Sequence, residues 1–382
     1  LLWFFRFYIS LQESPMALSR SRLCLLALGA SLLVASPMAW AEGEPQVRPV
    51  PALGADLSSL TVSGLSSGGY MAVQMQTAFS STVKGAAIFA GGPFGCARGE
   101  TTSATLGEAM MHCVNVQGAL WNPMNSYLGP PSLQARVEDA QALAVDRHID
   151  PVAGLADDQV YLFSGNQDKT VPQGVMEVLR DWYLAFVPAE NIHQDFARPA
   201  GHAMITDDWG SACAETQSPY INDCDLDGAG EALKVLYGPL NPAAAGDGEQ
   251  DGALYAVDQG AFVPQDAPSY SGMDRKAFLF VPAQCAEGAG EPPCRLHVAF
   301  HGCQQGEAML GDVFIRHAGY NRWAASNRII VLYPQAAPST FSLTNPRGCW
   351  DWWGYSGQNY LSKQGVQMQT VWSMIEHLSQ KP

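Results

Sequence analysis

Basic residues are scarce in this 382-residue chain, at 21 Lys and Arg against 36 Asp and Glu. The net charge of −15 repels phosphate backbones and anionic membrane surfaces, which argues against nucleic acid as a partner. No low-complexity linker and no internal repeat divides the sequence, so neither a solenoid nor a chain of tethered modules is expected. Metal-site spacing is also missing. The acidic run Asp223-Cys224-Asp225-Leu226-Asp227-Gly228 opens like a calcium loop, but Lys234 stands where a bidentate Glu should close it. That run reads instead as an acidic turn pinned by a disulfide, and 246–252 as a plain polar loop. We expect neither metal nor cofactor.

Long apolar stretches are confined to the N-terminus. Residues 1–15 contain no methionine and read as sequence upstream of the start. Met16 is followed by Arg20 and Arg22, an apolar stretch from Leu23 to Val34, and Ala39-Trp40-Ala41 as a cleavage site. This is the pattern of a secretory signal peptide, too short in its apolar core to span a bilayer comfortably. Residues 1–41 are therefore expected to be removed, leaving a catalytic domain at 42–382, outside the cytoplasm or in the periplasm, with no membrane attachment. Without Cys24, eight cysteines remain: Cys96, Cys113, Cys213, Cys224, Cys285, Cys294, Cys303 and Cys349. An even set in an exported chain predicts four disulfides. Sequence does not fix their pairing, of which neighbour with neighbour is the simplest version.

What is present centres on Gly64-Leu65-Ser66-Ser67-Gly68, the only match in the chain to the G-x-S-x-G nucleophile elbow. Leu60 and Val62 precede it in a strand-like run, and Met71, Met75, Ala78 and Phe79 follow near helical spacing. A sharp strand-to-helix turn lifts the Ser66 hydroxyl clear of its surroundings. It also points the Ser67 N–H at a developing oxyanion.

Further strands are predicted at 85–92, 160–163, 191–196, 277–281, 296–300 and 329–334, with helices over 133–144, 173–186 and 366–378. Asp168 lies in a loop just past the strand 160–163, where an α/β fold assembles its site. His202, flanked by Gly201 and set after another strand, lies 34 residues later. The order Ser, Asp, His is that of α/β-hydrolases. The strand 296–300 runs into His301-Gly302-Cys303, an oxyanion-loop pattern that assigns the second N–H donor to Cys303. This loop follows the histidine rather than preceding the nucleophile, so the fold class expected is an α/β-hydrolase, circularly permuted, in a single domain.

With these residues in place the chain resembles the extracellular poly(3-hydroxybutyrate) depolymerases with a permuted catalytic domain. The resemblance rests on 64–71, Gly91-Gly92-Pro93-Phe94, 165–171, Gly201-His202, 301–305 and Gly348-Cys349-Trp350-Asp351-Trp352-Trp353-Gly354-Tyr355. It implies Ser66 as nucleophile, Asp168 and His202 as its partners, and the N–H groups of Ser67 and Cys303 as oxyanion hole. A tryptophan near the cleft is implied as well. Trp350, Trp352, Trp353 and Tyr70 are the candidates for substrate contact, and the partner would be solid polyester or its soluble oligomers. Many members carry a linker and a separate binding domain, whereas this sequence stops close after its last helix. Adsorption would then fall to the catalytic domain's own surface, where an exposed tryptophan between 350 and 353 would serve. The rival readings are a secreted acetyl or feruloyl esterase using the same residues, and a catalytically dead polymer-binding protein.

Overall fold

In the computed structural model the described residues are 46–98, 105–115, 127–287, 292–340 and 344–382. The proposed signal segment lies outside them. In chain order the strands are β1 Asp56–Leu65, β2 Gly85–Phe89, β3 Gln159–Phe163, β4 Ile192–Asp195, β5 Met204–Thr206, β6 Ser211–Ala212, β7 Ile221–Asp223, β8 Gly252–Asp258, β9 Lys276–Pro282, β10 Arg295–Phe300 and β11 Ile329–Tyr333. The helices are α1 Ser67–Ala78, α2 Leu106–His112, α3 Leu133–Val145, α4 Gln173–Leu184, α5 Gly228–Tyr237, α6 Glu307–Leu310, α7 Val313–His317, α8 Tyr320–Asn327 and α9 Val366–Ser379.

One sheet of eight strands carries the molecule, in the order β4-β3-β2-β1-β10-β11-β9-β8. From β4 to β11 neighbouring strands run parallel, and β9 and β8 are antiparallel additions at the edge. The apolar runs of β2 and β11 are buried at every residue, because helices cover both faces of a parallel sheet. β1 lies at the middle, pairing Val62 with Ala86 on one side and with Val298 on the other. Its neighbour β10 arrives more than two hundred residues later in the chain, so the strand pairing with β1 on that side follows it in sequence rather than preceding it. Residues 45–382 form one compact unit.

Local chemistry accounts for departures from the sequence reading. Residues 246–251 form turns, as read, and β8 begins only at Gly252, with Leu254 to Val257 pairing with β9 at the sheet edge. Asp227, read above as part of an acidic turn, caps α5 by accepting the Gly230 N–H at 2.8 Å, and it also accepts from the Trp323 indole at 2.6 Å. A small second sheet, β5-β7-β6, follows the His202 loop. Four disulfides join Cys96 to Cys113, Cys213 to Cys224, Cys285 to Cys294 and Cys303 to Cys349.

At the end of the sheet away from the nucleophile, Asp158 is completely buried just before β3. One carboxylate oxygen accepts from Gln76 at 2.9 Å, and the other is buried with no hydrogen-bond partner. Burial pushes its pKa up to about 7. Because this exceeds the unfolded value of 3.8, the folded state binds the proton more tightly. The associated stability is complete below pH 3.8 and is lost as the pH rises toward 7. We expect wild type to lose roughly 4 kcal/mol more than Asp158→Asn between acid and mildly alkaline pH, measured as the difference in urea unfolding free energy.

Candidate active site

β1 ends at Leu65, and the next residue, Ser66, takes φ 56° and ψ −121° before α1 begins at Ser67. A non-glycine residue is rarely held there, and the surrounding bonds enforce it. The Ser66 N–H donates to Phe89 O at 2.9 Å, and Ser66 O accepts from the Tyr70 N–H at 3.0 Å. Two residues on, a Cβ at Gly68 would stand 2.3 Å from Phe300 O and 2.5 Å from His301 O, so only glycine lets the start of α1 seat on the end of β10. The elbow and the oxyanion-loop strand are thus packed backbone to backbone.

The acid and the imidazole come from successive strand ends. The Asp168 loop follows β3, and its Gly165 lies so near the Ala200 carbonyl that a Cβ would approach it to 2.1 Å. The two loops are tied further by Gln167 N–H to Ala200 O at 3.1 Å. Asp168 Oδ2 stands 2.7 Å from His202 Nδ1, while Oδ1 accepts from the backbone N–H groups of Thr170 at 2.8 Å and Val171 at 3.0 Å. The carboxylate is an acceptor on both oxygens, so Nδ1 carries the proton and Nε2 is left as a base. Asp168 and His202 are 7% and 6% exposed, which shields their interaction from water. The His202 N–H donates to Thr216 Oγ1 at 2.9 Å, fixing the loop from the other side.

The turn after β10 is held rigidly. His301 is buried, and burial lowers its pKa to about 4, so the ring is neutral. Its Nδ1–H donates to Gly302 O at 2.7 Å, and Nε2 accepts from the Ala336 N–H at 3.1 Å. Gln305, also buried, accepts the Gly302 N–H at 2.7 Å and donates to Pro219 O at 3.1 Å and Tyr220 O at 2.9 Å. The Gln304 N–H goes to Arg347 O at 2.7 Å. Cys303 lies in the middle of this turn, bound through its disulfide to Cys349.

Ser66, His202 and Cys303 line one cleft of about 440 Å³, together with Leu106, Met110 and Val114 in and just after α2 and with Arg347, Trp352 and Trp353. Its walls are mainly apolar, with a few polar groups converging at the elbow, the general make-up of a ligand-binding cleft.

No family model matches the chain. Individual proteins do. A poly(3-hydroxybutyrate) depolymerase of Delftia acidovorans is 42% identical over 331 residues, 86% of this chain and 61% of that protein. A polyhydroxybutyrate depolymerase of Talaromyces funiculosus is 34% identical over 366 residues, covering 93% of this chain and 96% of the relative. The chain belongs to the poly(3-hydroxybutyrate) depolymerase family. It spans about three fifths of the length of the Delftia depolymerase and almost all of the Talaromyces one. Two solved structures agree in fold, a PHB depolymerase complexed with an R3HB trimer and the PHB depolymerase of Penicillium funiculosum. Each has a TM-score of 0.74, at 34% and 35% identity, and each match covers 87% of this chain and 98% of the other. The α/β-hydrolase fold is therefore that of the depolymerase family, and the four disulfides are of the kind that persist in oxidising surroundings.

Within this depolymerase-family cleft two of the four aromatic candidates are displaced. Tyr70 is buried in α1, stacked on Trp352 at 4.2 Å with its hydroxyl donating to Cys113 O at 2.9 Å, and it forms part of the wall's backing. Trp350 is fully buried, its ring 5.1 Å from that of Phe300 and 5.5 Å from that of His301. Trp352 and Trp353 do line the cleft but are 6% and 9% exposed, so the expectation of a protruding tryptophan for adsorption is corrected: none of the three protrudes. Sequence reading missed the α2 wall, the Thr216–Tyr220 segment and the 344–349 loop. It also missed Asp351, whose carboxylate accepts from Gly354, Tyr355 and Ser356 N–H and the Ser356 hydroxyl, and so shapes the loop bearing the tryptophans.

Proposed function

We propose that the protein is a secreted serine esterase that hydrolyses poly(3-hydroxybutyrate) or a related aliphatic polyester by way of an acyl-enzyme. The observation that carries this reading is the cleft in which a positive-φ Ser66 opens beside an imidazole oriented by Asp168. His202 Nε2 takes the Ser66 proton as Oγ attacks the ester carbonyl. The oxyanion accepts from the backbone N–H of Ser67, which helix geometry leaves without an intrahelical acceptor, and from that of Cys303. When the C–O bond breaks, the imidazolium returns its proton to the departing alkoxide, and water then repeats the sequence on the acyl-enzyme. Each donor contributes on the order of 3 kcal/mol to the transition state. Asp168 holds the ring through Nδ1 and stabilises the imidazolium.

Aliphatic polyester has no groups that demand polar recognition along its length, which matches apolar walls formed by Leu106, Met110 and Trp352. The names of the relatives, and the oligomer held by one solved homologue, point to the same substrate class. The test is clearance of a poly(3-hydroxybutyrate) film with chromatography of the released acids, alongside fluorophosphonate labelling. We expect labelling at Ser66 and release of hydroxybutyrate monomer or short oligomers. Labelling without film clearance, but with release of acetate or ferulate from polysaccharide, would overturn the polyester assignment; absence of labelling would indicate a dead scaffold.

A further inference from the structure

The His202 loop and the turn after β10 both lean on one short segment, 216–220. Thr216 Oγ1 accepts the His202 N–H, and the carbonyls of Pro219 and Tyr220 accept from the Gln305 side chain. The Met204 N–H also donates to Tyr220 O at 2.9 Å, and the Cys213–Cys224 disulfide closes the loop that carries the segment. Where the two meet, Tyr220 and Gln304 hold φ of 57° and 65°, a conformation that persists in such residues only when the surroundings over-determine it. On its other side Gln305 governs which N–H of the turn is left unspent. The Gly302 N–H goes to Gln305 Oε1, that of Gln304 to Arg347 O, and that of Gln305 to Gly302 O at 3.2 Å. Among the described residues the Cys303 N–H has no acceptor. A Cβ at Gly302 would stand 2.8 Å from Gln305 Oε1 and 3.4 Å from Leu65 O, so the turn is clasped between this side chain and the residue that precedes Ser66.

We infer that Gln305 is a positioning residue for ester cleavage: by taking the Gly302 N–H and donating to two carbonyls of 216–220, it fixes the Cys303 N–H where the oxyanion forms and keeps it in register with His202. This inference rests on the esterase mechanism proposed above. Gln305 is 1% exposed, so its hydrogen bonds are made away from solvent, where losing a partner is costly. Without the amide, the Gly302 N–H is left buried and unpaired, and the turn must rotate to find another acceptor. That rotation carries the Cys303 N–H with it, because the two share a turn of adjacent peptides. The cost then falls on the tetrahedral intermediate, whose charge needs the donor in place, and hardly at all on the neutral ester held by the cleft walls.

The experiment compares wild type, Gln305→Met and Gln305→Glu in the hydrolysis of a soluble butyrate ester and in inhibition by butylboronic acid, whose boron accepts Ser66 Oγ and becomes a tetrahedral anion. For Gln305→Met we expect kcat to fall about 10²-fold with KM within roughly threefold of wild type, and the boronic acid inhibition constant to rise by the same factor as kcat falls. Gln305→Glu keeps an acceptor for the Gly302 N–H but not the donation to Pro219 O and Tyr220 O, and should lie between the two. KM and the inhibition constant do not depend on how much of a preparation is folded, so a purely structural role would lower the rate and leave both constants as in wild type. If Gln305→Met does not fold, Gln305→Glu decides by the same constants. A wild-type ratio of inhibition constant to KM in the folded variants would overturn the role of Gln305 and leave the esterase reading standing. Failure of wild type to cleave the ester or to bind the boronic acid would overturn that reading as well.

Discussion

Ser66→Ala is expected to lower kcat/KM on a soluble ester by roughly 10⁴-fold or more, with little change in thermal unfolding. The large loss follows because every bond-making step runs through Oγ, and residual turnover by the oxyanion donors alone is small. Stability should hold because the hydroxyl removed is small and lies at the half-buried mouth of a cleft, while the bonds that impose the positive φ are backbone bonds to Phe89 and Tyr70 that alanine retains. Circular dichroism melting measured beside initial rates separates the two effects. A variant within tenfold of wild type would remove Ser66 from the mechanism and the functional reading with it.

Asp168→Asn should be almost as severe, a fall of about 10³–10⁴ in kcat at neutral pH with a smaller change in KM. The structure gives the reason. The Thr170 and Val171 N–H groups both donate to Oδ1, so an amide at this position must place its oxygen there. Its NH₂ group then faces His202 Nδ1 and donates to it. The ring is driven into the tautomer with the proton on Nε2, where it cannot accept the serine proton. A crystal structure of the variant with unchanged His202 position, together with the rate loss, would separate this from simple displacement. A loss of less than tenfold would show that the tautomer is set by something other than Asp168.

Those residues were legible in sequence for a local reason. An elbow, a strand end and a loop are each specified within ten residues, so Gly64 to Gly68, Asp168, His202 and His301-Gly302 could be recognised where they stand. Strand positions were legible because a parallel sheet covered on both faces writes itself as unbroken apolar runs, as in β2 and β11. The walls of the cleft were not, because they are assembled from α2, the Thr216–Tyr220 segment and the 344–349 loop, which meet only through long-range contacts and disulfides. The role of Tyr70 was unreadable for a different reason. Every residue of α1 is buried, so the helix has no polar face from which to infer which side chains look toward substrate. Residue type could not place the tryptophans either, since Trp350 and Trp352 differ by two positions, yet only Trp352 lines the cleft while Trp350 is fully buried. Asp227 shows the same limit, as part of an acidic turn whose partner lies elsewhere in the chain.

The central strand pairing has a consequence for how activity first appears. β1, which ends at the nucleophile, is flanked on one side by β10, so the middle of the sheet cannot close until most of the polypeptide has been made. Contacts this distant in sequence slow folding, since a long loop must be closed before they form. A ribosome that has finished the serine, the aspartate and the histidine has still made no second oxyanion donor and no seat for the start of α1. On the proposed reading, a chain truncated before β10 is expected to be catalytically silent, because it lacks both the Cys303 N–H and the strand end on which α1 seats.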